Sequence, residues 1–142
     1  MQLVVDVGNT ETVVGLASSP TDIVNHWRVS SSVPRTEDEM TALIRAFLAG
    51  DGVDESLITQ GVVGSVVPSL NHVWMKTLGK IVSGDVLAVG PGSDLPIRLD
   101  VEEPMSVGAD RVVNTLAAME LYHRDTIAVD LGTATTFDCL TG

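Results

Sequence analysis

Residues Asp6-Val7-Gly8-Asn9-Thr10-Glu11-Thr12-Val13 line up with Asp130-Leu131-Gly132-Thr133-Ala134-Thr135-Thr136-Phe137, 124 residues further on. Each copy follows an apolar run, and each reads Asp, apolar, Gly, Asn or Thr, two residues, Thr, apolar. A pattern that recurs only at such a distance implies two similar domains, each opening with the same hairpin. The expected division is 1–125 for a first domain and 126–142 for the start of a truncated second one.

Between the copies, strands and helices alternate, the pattern of an α/β layer fold. Leu3–Val7 and Thr12–Ala17 flank the turn Gly8-Asn9-Thr10, and Ile23–Val29 follows a second turn, so three successive strands are expected. From Thr36 the period changes. Met40, Leu43, Ile44, Phe47 and Leu48 recur at three- and four-residue steps, one face of a helix. Thr36 and Glu39 form a capping box, Glu37 and Asp38 suit the positive helix start, and Gly50 ends it. Gly61–Val67 reads as a buried strand stopped by Pro68. Leu70, Val73, Trp74 and Leu78 give a second helical face with Ser69 as its cap. Val86–Val89 is expected as a strand, Ile97-Arg98-Leu99 as a short edge strand, Asp110–Tyr122 as a helix and Thr126–Asp130 as a strand.

Aromatics are only 4% of 142 residues, so Val, Leu, Ile and Ala must fill the core; at 44% hydrophobic the chain can pack one. The net charge of −11 repels phosphate backbones and anionic lipid. General nucleic-acid and membrane-surface binding are therefore disfavoured, although one local site can still hold a nucleotide. No run approaches the ~20 apolar residues that cross a bilayer. Met1–Val7 also lacks the basic-then-apolar order of a secretion signal. A soluble, cytoplasmic protein is expected. The single Cys139 excludes an internal disulfide and a multi-cysteine zinc site, and beside Phe137 and Leu140 it is expected as a buried small hydrophobe. His26, His72 and His123 have no metal-ligand spacing, and the last two read as helix-surface residues.

A carboxylate at a strand's end, then Gly, then an amide or hydroxyl, is a device for phosphate and metal. Gly8 lets the backbone turn sharply and bring its N–H groups to an anion. Asn9, Thr10 and Thr12 offer neutral hydrogen bonds to phosphate oxygens, and Asp6 can hold Mg²⁺ directly or through water. The same residues also read as a plain hairpin whose Gly-Asn pair makes the turn; a second copy facing the first across a cleft favours the phosphate reading. Neither G-x-x-x-x-G-K-[ST] nor G-x-G-x-x-G occurs, so P-loop and dinucleotide-binding folds find no support. Gly108-Ala109-Asp110-Arg111 opens the third helix. Asp110 can accept a proton from a substrate hydroxyl and Arg111 can pair with phosphate or a carboxylate; alternatively, Asp110 caps the helix and Arg111 is solvated. Asp130 can coordinate a cation and Thr133 can contact phosphate, or both simply belong to a turn.

Five motifs stand in order from end to end: Asp6-Val7-Gly8-Asn9-Thr10, Arg35-Thr36 with Asp38-Glu39, Ser65-Val66-Val67-Pro68, Gly108-Ala109-Asp110-Arg111 with Asn114, and Asp130-Leu131-Gly132-Thr133-Ala134 with Thr136. In this the chain closely resembles the N-terminal half of type III pantothenate kinases, members of the acetate and sugar kinase, heat-shock chaperone and actin superfamily. The resemblance implies a ribonuclease H-like (actin-like ATPase) α/β domain, a mixed sheet flanked by helices, followed by the opening hairpin of a second similar domain. It implies ATP-dependent phosphorylation of pantothenate to 4'-phosphopantothenate, the first step of coenzyme A biosynthesis.

Carried over by the resemblance, Asp6, Val7, Gly8, Asn9, Thr10, Glu11, Thr12 and Val13 would form the hairpin that binds the ATP phosphates, with Asp6 near Mg²⁺. Thr133 would contact ATP. Gly108, Ala109, Asp110 and Arg111 would bind pantothenate, and Asp110 would be the base that accepts the hydroxyl proton. Asp130 would bind a monovalent cation, K⁺ or NH₄⁺. Family members are similar in forming homodimers and in continuing through a whole second domain. This chain is therefore expected to be a truncated form with the family's residues and little or no kinase activity, whose strand from Thr126 leaves an apolar face uncovered. Two other readings are a non-catalytic accessory relative that binds nucleotide or a protein partner, and a different kinase or phosphatase of the superfamily. Asp6, Asp110 and Asp130 argue against the first, since binding alone needs no base; Gly-Ala-Asp-Arg with Asn114 argues against the second.

Overall fold

Leu3, Val5 and Val7 alternate with Gln2, Val4 and Asp6 along β1 (Gln2–Val7), and the first set is buried, as expected of a strand with one covered face. This computed structural model describes residues 1–132 and 134–141. Strands β2 (Glu11–Ser19) and β3 (Asp22–Ser30) continue antiparallel from β1. On its other side β4 (Gln60–Ser65) runs parallel, with Gln2 opposite Gln60 and Val7 opposite Ser65. With β5 (Val86–Val89) the order is β3-β2-β1-β4-β5, so β1 is the middle strand of a mixed sheet.

The connection from β3 to β4 carries α1 (Glu37–Gly50), and the expected capping box forms. The Thr36 hydroxyl accepts the Glu39 N–H at 3.3 Å, and the Glu39 carboxylate accepts the Thr36 N–H at 2.8 Å. At the far end Gly52 adopts φ +70°, the left-handed conformation glycine tolerates, and the Val53 N–H donates to the Leu48 carbonyl. Helix α2 (Pro68–Gly79) follows β4. Its N-cap is Val67, with Pro68 in the first turn, and not Ser69 as the sequence predicts. Proline fits there because the first N–H groups of a helix have no partner within it. Met40, Ile44 and Leu48 of α1 and Trp74 and Leu78 of α2 share one core with Leu3, Val5, Val7, Val14 and Val63 of the sheet.

The chain divides into two units, Met1–Ala88 and Val89–Gly142. In the second, α3 (Ala109–Tyr122) packs on an antiparallel hairpin of β6 (Thr126–Leu131) and β7 (Thr135–Leu140). Residues 97–99 form no strand; Pro96 removes a ladder donor at the start of a three-residue run. His123 is not a helical surface position but the left-handed cap of α3, with φ 48°. The hairpin's sides are unequal. Ala128, Thr136 and Asp138 share one side, and Asp138 is buried, only 9% exposed. Ile127, Val129, Leu131 and Phe137 share the other and are 50–79% exposed. Cys139, expected to be buried, is exposed, because it stands opposite Ile127 on that open side.

Candidate functional site

The turn from β1 into β2 is closed by the Gly8 N–H, which donates to the Glu11 carbonyl at 3.1 Å and leaves Asn9 and Thr10 at the tip. A Cβ at Gly8 would stand 2.8 Å from that same carbonyl oxygen, so a side chain there forces the turn open. Asn9 and Thr10 are exposed, and so is Asp6, near the C-terminal end of the central strand. Asp6 stands between Val13 on β2 and the side-chain-free Gly64 on β4. The parallel strands β1 and β4 end together at Val7 and Ser65, the edge of an open α/β sheet where ligands bind. The other hairpin residues are engaged in the sheet. Val7 and Thr12 are buried, and the Thr12 hydroxyl shares a 2.8 Å hydrogen bond with that of Ser31. Glu11 forms an ion pair with Arg28, and Val13 is half-buried.

The second copy folds into a hairpin with a different register. Asp6 lies opposite Val13, seven residues on, whereas Asp130 lies opposite Thr136, six on. Here the Gly132 N–H donates to the Ala134 carbonyl at 3.2 Å. The second turn is thus one residue tighter, and Phe137, the counterpart of Val13 in sequence, faces Val129 instead of the aspartate. Asp130 is exposed. Thr133 lies outside the described residues.

Helix α3 starts at Ala109, after Gly108 as N-cap, and Gly108 has no side chain to satisfy the first N–H groups. Ala109 is buried and Asp110 half-buried; the Asp110 Oδ1 accepts the Arg111 N–H at 2.7 Å. Arg111 has a partner inside the fold. Its Nε donates to Asp138 Oδ1 at 2.7 Å, and its Nη2 lies 2.5 Å from the same oxygen and donates to the Phe137 carbonyl at 3.2 Å. Sequence reasoning passed over Asp138. The available signal was a carboxylate set among Phe137, Cys139 and Leu140 in a strand.

Among the described residues, no three His, Cys, Asp or Glu side chains converge into a metal cage. Asp6 and Asp130 thus belong to no such cage; a carboxylate is the donor type that Mg²⁺ takes beside phosphate oxygens. Among the same residues no helix is long and apolar enough to cross a membrane.

The family model described as type III pantothenate kinase matches residues 2–142. Proteins of that name from Myxococcus xanthus and Moorella thermoacetica are 39% and 42% identical, over 99% of this chain in both cases and 54% and 55% of their own lengths. The chain spans about half the length of the curated relatives it matches. A ROK family glucokinase from Streptomyces griseus superposes with a TM-score of 0.54 at 18% identity, over 99% of this chain and 44% of its own. That likeness is one of fold: a mixed sheet with flanking helices, as in the actin-like ATPases. With the family's pattern matched across the described fold, the chain belongs to the type III pantothenate kinase family.

Proposed function

We propose that the whole protein transfers the γ-phosphoryl group of ATP to the hydroxyl of pantothenate, giving 4'-phosphopantothenate and ADP, and so begins coenzyme A biosynthesis. The observation that carries this reading is the β1–β2 turn, where only glycine fits at position 8 and an exposed carboxylate stands beside it at the sheet's ligand-binding edge. In the proposed mechanism Gly8, Asn9 and Thr10 orient the phosphates, while Val7, Glu11, Thr12 and Val13 hold the hairpin rigid. Asp6 would hold Mg²⁺, which when bound neutralises charge on the phosphates. Gly108, Ala109, Asp110 and Arg111 form the turn that receives pantothenate. The hydroxyl oxygen attacks the γ-phosphorus as its proton passes to Asp110, on the oxygen that does not accept the Arg111 N–H.

The proposal further gives Asp130 a monovalent cation, K⁺ or NH₄⁺, and Thr133 a contact to ATP. It takes 1–125 as the first actin-like domain and 126–142 as the opening of a second, in a cytoplasmic homodimer. The test is pantothenate phosphorylation by the 142-residue chain with ATP, Mg²⁺ and K⁺, beside Asp110→Asn. Loss of a general base costs about 10²–10⁴-fold in transfer and leaves ATP affinity nearly unchanged. Equal product from both proteins removes Asp110 from the role. No product from either protein leaves the family reading standing and marks this chain as an incomplete or non-catalytic member.

A further inference from the structure

We propose that Asp138 is a positioning residue for Asp110, acting through Arg111; this rests on the reading of Asp110 as the base. Three observations join in one chain of contacts. First, Gly108 gives the start of α3 no side-chain cap, and the Arg111 N–H of that first turn is held by the Asp110 carboxylate itself, so the turn's anchor outside itself decides where that carboxylate lies. Second, Arg111 in that turn reaches across to β7 and grips it at two points, the Asp138 carboxylate and the Phe137 carbonyl. Asp138 is buried, and a buried carboxylate is tolerable only when paired and hydrogen-bonded. The planar guanidinium then meets it in a fixed orientation, which a lysine cannot reproduce. Third, the N–H that holds the Asp110 carboxylate is Arg111's own. Whatever displaces Arg111 displaces the donor that aims Asp110.

Arg111 therefore serves the pantothenate turn by holding it. Its guanidinium is committed to β7, and Asp138 sets where the helix start lies relative to the hairpin within this unit. The site carboxylate is located by a residue that need never touch substrate.

The test reads the Arg111 Nε–H resonance, assigned among six arginines by Arg111→Lys, and the carboxyl carbon resonance of Asp110, assigned by Asp110→Asn. In Asp138→Asn the Nε–H is expected to exchange with solvent at least about tenfold faster, and the Asp110 carbon signal to move, while the amide signals of β1 and β2 stay in place. Arg111→Lys, which leaves Asp138 its charge, is expected to move the Asp110 signal too and stands in should Asp138→Asn unfold the hairpin. In the phosphorylation assay Asp138→Asn should lower kcat about tenfold or more with KM for pantothenate nearly unchanged. An Asp110 signal that stays put while the Arg111 Nε–H is lost overturns the proposal, as does an unchanged kcat. A parent without phosphorylation bears on the activity of this half-length chain and not on the positioning, which the resonances then decide by themselves.

Discussion

At the scale of single residues, two positions are held by close local geometry. A methyl group at Gly8 would press on the Glu11 carbonyl that closes the turn. Gly8→Ala is expected to cost about 1–3 kcal/mol, the range for overpacking, and to weaken ATP binding, whereas Asp110→Asn spares it. Urea midpoints and calorimetric titration with ATP check both halves; an unaltered ATP affinity would remove the turn from the nucleotide site. Glu39 is held below its ordinary carboxylate range, first by the Thr36 backbone N–H and then by the Thr36 hydroxyl. A carboxyl lowered in this way adds stability above its unfolded value and loses it as pH falls through the folded one. Glu39→Gln should therefore narrow the gap between urea midpoints at about pH 7 and about pH 3. Midpoints that fall in parallel for both proteins would show that the box carries no pH dependence. The box was legible because its partners lie three residues apart. Asp138 was not, because Arg111 lies on another element and no local pattern links them.

Among the elements, α2 shows how one side chain ties a helix to the sheet. Trp74 is its largest core residue and 1% exposed. Trp74→Ala is expected to cost about 3–5 kcal/mol, read from equilibrium denaturation; a cost below about 1 kcal/mol would mean that the sheet closes over the gap. The strands and helices were readable where period and punctuation agree, as in β1 with its alternation and α1 with its cap. Reading failed where two signals compete. Ser69 is a good cap by type, but Pro68 suits the first turn by its fixed φ and missing N–H, and the helix begins there. Residues 97–99 are apolar enough for a strand, yet Pro96 and shortness prevail. The sequence repeat promised two identical hairpins, and the one-residue difference in turn length gives the two aspartates non-equivalent partners.

For the molecule as a whole, the order of strands and helices and the order of the five motifs conveyed the fold class and the family. They did not disclose that α3 covers the side of the β6–β7 hairpin that carries Ala128, Thr136 and Asp138, since the alternation of Ile127, Val129 and Leu131 marks the other side for burial. That packing leaves Ile127, Val129, Leu131 and Phe137 open to solvent. A contiguous apolar patch of this kind promotes association. The 142-residue chain is expected to bind an apolar dye and to self-associate as its concentration rises. Val129→Lys with Phe137→Glu, opposite charges at directly paired positions, should reduce both without loss of secondary structure. Undiminished dye binding in that variant would place the patch elsewhere. The mixed sheet has a separate consequence for the nascent chain. Strand β1 is made first, yet its parallel partner lies 58 residues later, Gln2 against Gln60. At about 5–20 residues per second on the ribosome, one flank of β1 waits roughly 3–12 s for its neighbour. During that interval the middle strand of the sheet is an open edge, so slower decoding between β1 and β4 should increase the chain's dependence on chaperones.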